Sequence, residues 1–221
     1  MEPFLNMSNN RSLETNVRLR FCEVTAQFNA DSVLVETCVS EIEQAHSKDA
    51  RHYHNMLHLG KLTNELEEVK PLIEDWPAIV FAIAYHDIVY NPLASNNEAK
   101  SAAVAEKRLS SLRIPSTVIS TCTNHILATK SHEPNSNPDS NYFTDADLSI
   151  LGATPAGYEI YRSQVRKEYN FYPALIYNSG RKKVLQQFLK MECIYKTEHF
   201  REKYEDSARA NIQREVQKLS E

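Results

Sequence analysis

Three histidines lie within the seven positions 52–58, in the segment RHYHNMLH. If this segment is helical, His54 and His58 stand one turn apart on the same face, so two imidazoles can serve one site. Solvent-facing pairs share this spacing, so the pair indicates a site only if further ligands lie elsewhere in the chain. His52 lies off that face and is interpreted as a structural or surface residue.

A second cluster interrupts the apolar run AIAYHDIVY, where His86 is followed by Asp87. A carboxylate inside an apolar helix is costly unless it is paired, hydrogen-bonded or bound to a metal ion. Adjacent helical side chains point about 100° apart, so both reach one ion only if it lies above the helix between them. The alternative is a pair at the end of a helix, near Asn91 and Pro92.

Two carboxylates open the stretch YFTDADLSILG. Asp147 shares a helical face with Phe143, Ile150 and Leu151, so we predict that it is the acid on the inward face. Asp145 points to the other side. It is better placed as an acid at a helix N-terminus or as a partner of a metal ligand.

Imidazole nitrogens and carboxylate oxygens together bind Zn²⁺, Mn²⁺ or Fe²⁺ well. One complete ligand set is present, so we expect one divalent metal ion, whose identity (Mn, Zn, Fe, Mg or Co) the residues leave open. Such an ion lowers the pKa of water and polarises a phosphoryl oxygen, and His54 is placed to protonate the leaving group. The predicted ligands are His58, His86, Asp87 and Asp147.

Helical periodicity dominates the rest of the chain. Asp31 and Asp75 are predicted N-caps, and WPAIVFAIAYHDIVY is apolar on all sides, as expected of a central buried helix. STVISTCTNHILATK is rich in β-branched residues, although we favour a helix. Residues 131–141 are a predicted loop, a helix begins at Thr154, and helices continue to the C-terminus with a break near residues 178–180. We predict an all-α, single-domain protein, with residues 1–12 disordered and residues 13–221 forming the domain.

Composition excludes several classes of function. The net charge of −4 gives no electrostatic reason for binding a nucleic acid polymer or a membrane, and the longest apolar run has only eight residues. The four glycines form no phosphate-binding loop, so side chains or a metal ion would have to bind phosphate. The four cysteines are widely spaced and predict reduced thiols in a cytoplasmic protein. They are Cys22, Cys38, Cys122 and Cys193.

The order of these motifs resembles the HD superfamily of metal-dependent phosphohydrolases. YHNMLH is similar to a segment of the related cyclic-nucleotide phosphodiesterases, in which the first histidine is the general acid and the second binds metal. ILAT and ADLS also resemble short strings of those enzymes, the second carrying the last metal aspartate. The resemblance implies that His54 is the acid and that His58, His86, Asp87 and Asp147 bind the metal, with His54 and Asp87 as catalytic residues.

Over about residues 50–195, the chain is similar to a small family of predicted HD phosphohydrolases. The similarity rests on RHYHN, HDIVYNP, NNEAKSA, ILATKSHE, DADLSILG, YRSQVRKEY and GRKKVLQQFL. It implies an HD-type helical bundle that hydrolyses a small phosphorylated substrate, with a nucleotide as the favoured class. We find no match to the glutamine and aromatic clamp that holds the base in the phosphodiesterases, which argues against a cyclic nucleotide.

Further residues in these motifs are candidates for binding substrate or supporting the ligands: Arg51, Asn55, Glu98, Lys130, His132, Asp145 and Arg166. Arg51 either binds a phosphate oxygen or makes a surface salt bridge, and Asn55 either hydrogen-bonds near His54 or caps the helix. Arg166 pairs with Arg162 in a phosphate clamp or lies on a charged helix surface. His125 is expected to be structural.

Two other functions fit the same residues. The chain is then a non-catalytic nucleotide-binding sensor on an HD fold, or a di-iron HD-fold oxygenase in which His132 helps to hold a second iron. The sequence also leaves undecided whether the chain forms a homo-oligomer through its C-terminal helix.

Overall fold

The computed structural model describes residues 2–220, with side chains described from residue 13 onward. Within this range it contains helices and no β-strand, which confirms the all-α prediction. The helices are α1 Glu2–Gln27, α2 Ser32–His46, α3 Met56–Glu68, α4 Trp76–Tyr85, α5 Asn97–Ser111, α6 Ser116–Ala128, α7 Pro138–Asp147, α8 Pro155–Glu168, α9 Ala174–Lys190 and α10 Glu198–Lys218. Short 3₁₀ turns cover Lys70–Leu72 and Leu148–Gly152.

The chain divides into two compact units, residues 1–144 and residues 145–221. Helix α7 begins in the first unit and ends in the second. The expectation of a single HD-type domain from residue 13 stays a prediction. The predicted disorder of residues 1–12 falls on a stretch whose side chains lie outside the described part of the chain.

The first unit is built around α4. Every side chain of α4 from Ala78 to Tyr85 is buried, and the helix packs against α1, α3, α5 and α6. Its start is set by Asp75, whose carboxylate accepts a hydrogen bond from the backbone N–H of Ala78. Phe21 of α1 packs edge-on against Phe81, with ring centroids 5.6 Å apart. The predicted central, buried helix is therefore confirmed for Trp76–Tyr85, whereas the rest of the predicted segment, residues 86–90, lies beyond its end.

Helices α1 and α3 approach closely at Gly60. A Cβ at this position would lie 2.7 Å from the Cβ of Leu13, which is far inside van der Waals contact. Only glycine allows this approach without a shift of one helix. The contact holds α3, and with it His58, against the first unit's core.

In the second unit, α10 holds the segment that follows α7. Asn211 donates hydrogen bonds of 2.8 Å to the carbonyl oxygens of Leu151 and Ala153, and Gly152 lies directly under Tyr204. The hydroxyl of Tyr195 donates to the carbonyl of Leu148 at 2.9 Å. These buried contacts fix the backbone immediately after Asp147.

Two local predictions are wrong. Helix α9 runs through residues 178–180 without a break, and the helices are interrupted instead at residues 169–173 and at residues 191–197. Pro173 explains the first of these positions, because proline disfavours a helical conformation in the residue before it and suits the start of a helix. The predicted loop 131–141 is shorter than expected, because α7 already starts at Pro138. The side chain of Asn137 accepts a hydrogen bond from the backbone N–H of Asp139 at this start.

The β-branched segment forms α6, as favoured, and Asp31 and Thr154 cap α2 and α8 as predicted. All four cysteines are free thiols. Across residues 2–220, no helix combines the length and apolar composition required to cross a bilayer.

Candidate metal centre

His86 lies at the end of the buried helix rather than inside it. It is the C-cap of α4, and Asp87 follows in the turn. The Nδ1 atom of His86 lies 3.1 Å from the carbonyl oxygen of Ile83 and can only donate to it. In neutral imidazole this bond places the lone pair on Nε2, the arrangement of a metal-binding histidine.

His58 brings a second imidazole to the same point. It lies in the first turn of α3, is buried, and its Nε2 is 3.2 Å from the Nε2 of His86. Two nitrogens bound to one tetrahedral zinc ion at about 2.05 Å would stand about 3.3 Å apart. The separation of these two nitrogens therefore suits two ligands of one cation.

Asp87 adds a carboxylate beside this pair. Its Oδ2 lies 3.2 Å from the Nε2 of His86, and its side chain is mostly buried. Burial would raise the pKa of Asp87, but the nearby imidazole of His86, together with those of His54 and His58, outweighs burial and holds the pKa well below its usual range. The carboxylate is consequently ionised at neutral pH, as a metal ligand requires.

Asp147, the last residue of α7, completes the group. One ligand atom from each of His58, His86 and Asp147 lies within 4.8 Å of the other two. These three residues can hold a metal ion, and Asp87 is a fourth candidate because of its contact with His86. Two imidazoles and carboxylate oxygens fit zinc, manganese or iron, and the geometry does not select among them.

His54 is not on the helix that carries His58. Helix α3 begins at Met56, and His54 lies in a bent segment before it, so the predicted one-turn spacing on a helix is wrong. The imidazole of His54 stacks on the ring of Tyr90 with centroids 4.3 Å apart. The centroid of the His54 ring is still 5.8 Å from that of His58. The two rings are therefore neighbours although they do not lie on one helix.

Asn55 caps α3, one of its two predicted roles. Its Oδ1 accepts hydrogen bonds from the backbone N–H groups of Leu57 and His58, and its Nδ2 donates to the carbonyl of His52. The cap sets the start of α3 and hence the position of His58.

Arg51 is a buried residue, so the alternative of a surface salt bridge is wrong, whereas binding of a phosphate oxygen stays a prediction. Its guanidinium donates to the carbonyl oxygens of His54, Asp87 and Ile88, at 3.2, 2.7 and 3.1 Å. It also lies over the ring of Tyr90, 5.4 Å from the centroid. Arg51 thus ties the segment of His54 to the turn of Asp87.

Replacing Arg51 with methionine is expected to weaken metal binding about 10- to 100-fold, the usual effect of losing a residue that positions ligands. The alkyl chain is kept while the three carbonyl contacts are lost, so the turn that carries Asp87 loosens. Calorimetric titration with Zn²⁺ measures the affinity, and Lys107→Met, at an exposed position of α5, is the control. Equal affinities in the two variants would contradict the positioning role.

The other candidates are placed differently. Glu98 is half-exposed in the first turn of α5, one turn before Ser101, which bonds to the N–H of Val89. Lys130 is exposed in the turn after α6, and His132 adopts a left-handed backbone with φ of 53°. Whether these three residues contact substrate stays a prediction.

Asp145 and Arg166 both bind polar groups of the chain itself. Asp145 lies near the end of α7 rather than at a helix N-terminus, so that expectation is wrong, and its carboxylate binds Lys196 and Thr197. Arg166 donates to the carbonyls of Tyr169 and Tyr172 after α8, which orders the turn before α9. Their predicted roles toward a ligand or substrate remain untested.

His125 is fully buried, with its Nδ1 2.8 Å from the hydroxyl of Ser140 and no partner for its Nε2 among the described residues. Burial lowers the pKa of His125 to about 4. Its ring packs against Phe143, which also contacts the ring of His86. His125 is therefore connected to His86 through Phe143.

This burial predicts an acid-sensitive fold. Unfolding exposes His125, whose pKa returns to about 6.5, so between pH 6.5 and 4 the unfolded chain binds more protons and stability falls as the pH falls. From pH 7 to pH 5 this residue removes about 2 kcal/mol from the free energy of unfolding. Urea unfolding at both pH values should show a correspondingly smaller loss for His125→Leu, and an unchanged loss would contradict the assignment.

The sequence did not reveal two residues that support the candidate site. Tyr90 stacks on His54, and Ser101 contacts both the N–H and the carbonyl of Val89, which fixes the loop after Asp87. Both lie in motifs that the sequence singles out, HDIVYNP and NNEAKSA. Nothing in their types or spacing distinguished them from surface residues.

Comparison of the chain with protein-family models, with curated proteins and with solved structures finds no match. The geometry of the candidate metal centre is therefore the basis for inferring a function.

Proposed function

We propose that the chain is a metal-dependent phosphohydrolase that cleaves a small phosphoester, with nucleotides as the favoured class. The observation that carries the proposal is the group formed by His58, His86 and Asp147, with the imidazole of His54 beside it. A cation site with a further imidazole next to it suits hydrolysis at phosphorus, because the reaction needs both charge neutralisation and a proton donor.

A divalent cation held by His58, His86 and Asp147 supplies Lewis acidity when bound: it polarises a phosphoryl oxygen and acidifies water. The chain's own residues orient the attacking water and donate the proton. The ionised carboxylate of Asp87 accepts a hydrogen bond from the attacking water and orients it. As the water oxygen bonds to phosphorus and the ester P–O bond breaks, His54 passes its proton to the leaving oxygen. The proton that the attacking water loses leaves past the Asp87 carboxylate to solvent.

The orientation of His54 follows from its surroundings. Tyr90 stacks on one face of the His54 ring, and Arg51 donates a hydrogen bond to the backbone carbonyl of His54. These two contacts hold the imidazole beside the cation site without a helix beneath it. A fixed proton donor saves the entropy of orienting it at each turnover.

The test is product analysis by chromatography. The purified chain is incubated with Mn²⁺ and a pool of mono-, di-, tri- and cyclic nucleotides, and His54→Gln and Asp147→Asn are run beside it. We expect a product from the unsubstituted chain, loss of that product with Asp147→Asn, and a rate at least about 100-fold lower with His54→Gln.

The His54→Gln variant also separates the roles. If His54 is the proton donor, its loss should matter much less for a nitrophenyl ester, whose leaving group needs no proton. Metal content per chain is measured in parallel. Ligand-induced thermal stabilisation without turnover would replace the proposal with a nucleotide sensor, and two irons per chain with oxygen consumption would replace it with an oxygenase.

A further inference from the structure

A cavity of about 360 Å³ lies between α8 and α9, within the second unit. Its size is within the range of small-molecule sites. Apolar and aromatic side chains dominate its lining, which consists of Val165, Tyr169, Tyr172, Ile176, Tyr177, Gly180, Arg181 and Val184. None of these residues belongs to the metal group or to the contacts of His54 described above.

The aromatic wall is preformed. The rings of Tyr169 and Tyr172 lie nearly parallel with centroids 6.1 Å apart, and Tyr177 packs 5.9 Å from Tyr169. Arg166 fixes this wall by donating to the carbonyls of Tyr169 and Tyr172 and by lying over the ring of Tyr177. A flat apolar or aromatic body therefore finds ordered rings, and little entropy is lost in binding it.

One residue of the cavity lining, Tyr177, carries an unmatched hydrogen-bond donor. The hydroxyl of Tyr177 is buried and has no partner among the described residues. Burial raises the pKa of Tyr177 to about 12, so the hydroxyl keeps its proton and can donate at neutral pH. An unpaired buried hydroxyl is costly, and an acceptor on a ligand would remove that cost.

Arg181 offers further donors. Its Nε and one terminal nitrogen bind the carboxylate of Glu215, and the other terminal nitrogen contacts the hydroxyl of Tyr161 at 3.3 Å. A guanidinium has more N–H groups than these contacts use, and Arg181 lines the cavity. The buried pair with Glu215 holds the guanidinium in place for an incoming acceptor.

The surrounding charge selects the sign of the ligand. Residues 161–190 contain seven Lys or Arg and one Glu, in a chain whose net charge is −4. Within the described contacts the guanidinium of Arg166 is paired with carbonyl oxygens rather than with a carboxylate. Two of the seven cations pair with carboxylates outside this range, Arg181 with Glu215 and Arg162 with Glu159. The remaining excess of positive charge favours an anion over a neutral molecule.

We propose that this cavity is a binding site for a small organic anion with a flat apolar body, whose acidic group meets the donors of Tyr177 and Arg181. The cavity shares no residue with the proposed hydrolytic centre, and its test requires neither metal nor turnover.

The probe is anilinonaphthalene sulfonate, an aromatic anion whose fluorescence rises on binding. Its neutral counterpart, N-phenylnaphthylamine, has the same rings without the sulfonate. We expect saturable binding of one sulfonate per folded chain and binding of the neutral compound that is weaker by roughly tenfold or more. Equal binding of the two compounds would show a merely apolar surface and would overturn the proposal.

Gly180 provides a cavity-filling variant. A Cβ at Gly180 would meet no heavy atom within 4 Å, so Gly180→Leu places its side chain in open space, and leucine favours a helix over glycine. The matched control is Gln186→Leu, which adds a leucine at an exposed position of the same helix outside the lining. We expect roughly tenfold weaker binding by Gly180→Leu and unchanged binding by Gln186→Leu.

A third variant, Tyr177→Phe, removes the unmatched hydroxyl and keeps the ring. It should weaken the sulfonate about fivefold, the effect of one lost hydrogen bond, and leave the neutral compound unaffected. Circular dichroism of each variant verifies the fold before titration. Wild-type affinity in both Gly180→Leu and Tyr177→Phe would overturn the proposal, whatever the outcome of the hydrolysis assay.

Discussion

Replacing His86 with alanine is expected to abolish binding of a divalent metal ion and, with it, any hydrolysis. The Nε2 of His86 lies 3.2 Å from both the Nε2 of His58 and the Oδ2 of Asp87. The substitution therefore removes the ligand atom that lies next to two other candidate ligands. Metal affinity should fall by more than the roughly 10- to 100-fold that is typical of losing a supporting residue. Metal content after dialysis and thermal stabilisation by Mn²⁺ both measure this.

The control is His52→Ala, which removes a half-exposed imidazole from the same part of the chain. This variant should keep the metal content and the stabilisation by Mn²⁺ of the unsubstituted chain. Stoichiometric metal in His86→Ala would show that the ion binds elsewhere. It would remove the basis of the proposed function.

Replacing Asp145 with alanine is expected to cost about 3–5 kcal/mol of stability, the usual effect of removing one partner of a buried ion pair. The carboxylate is fully buried and lies 2.9 Å from the ammonium of Lys196, whose side chain is only 7% exposed. It also accepts hydrogen bonds from the backbone N–H groups of Lys196 and Thr197 and from the Thr197 hydroxyl. Urea denaturation followed by circular dichroism gives the free energy of unfolding.

A double variant isolates the cause. Lys196→Met removes the stranded ammonium, so adding it to Asp145→Ala should recover part of the loss, because an unpaired buried charge is worse than an apolar pair. Additive losses in the double variant would mean that the backbone contacts, and not the ion pair, carry the stability. A loss below about 1 kcal/mol in Asp145→Ala would contradict the structural role altogether.

Much of the helical structure follows from short-range signals in the sequence. Asp75 precedes a run of apolar residues, and a capping carboxylate followed by ten residues without a charged side chain permits little other than a buried helix. Thr154 before Pro155 starts α8 for equally local reasons. Such signals act over one or two turns, so they are visible in the chain without knowledge of its neighbours.

The chemistry of the candidate site was also apparent from residue types. The need to compensate Asp87 in apolar surroundings pointed to the two histidines and Asp147, and His58, His86 and Asp147 do meet. What the spacing could not give was the position of His54. Asn55 ends the bent segment and starts α3, so His54 reaches its neighbours through Tyr90 rather than along a helix.

The contacts that hold the site join residues far apart in the chain. Arg51 binds the carbonyls of Asp87 and Ile88, 36 and 37 positions away, and Asp145 binds Lys196, 51 positions away. No periodicity encodes such pairs, because each depends on how whole helices pack and on which backbone groups packing leaves exposed to a side chain. Residue types and local patterns therefore specified the helices and the ligand chemistry, whereas packing assigned Arg51 and Asp145 to positioning and structural roles.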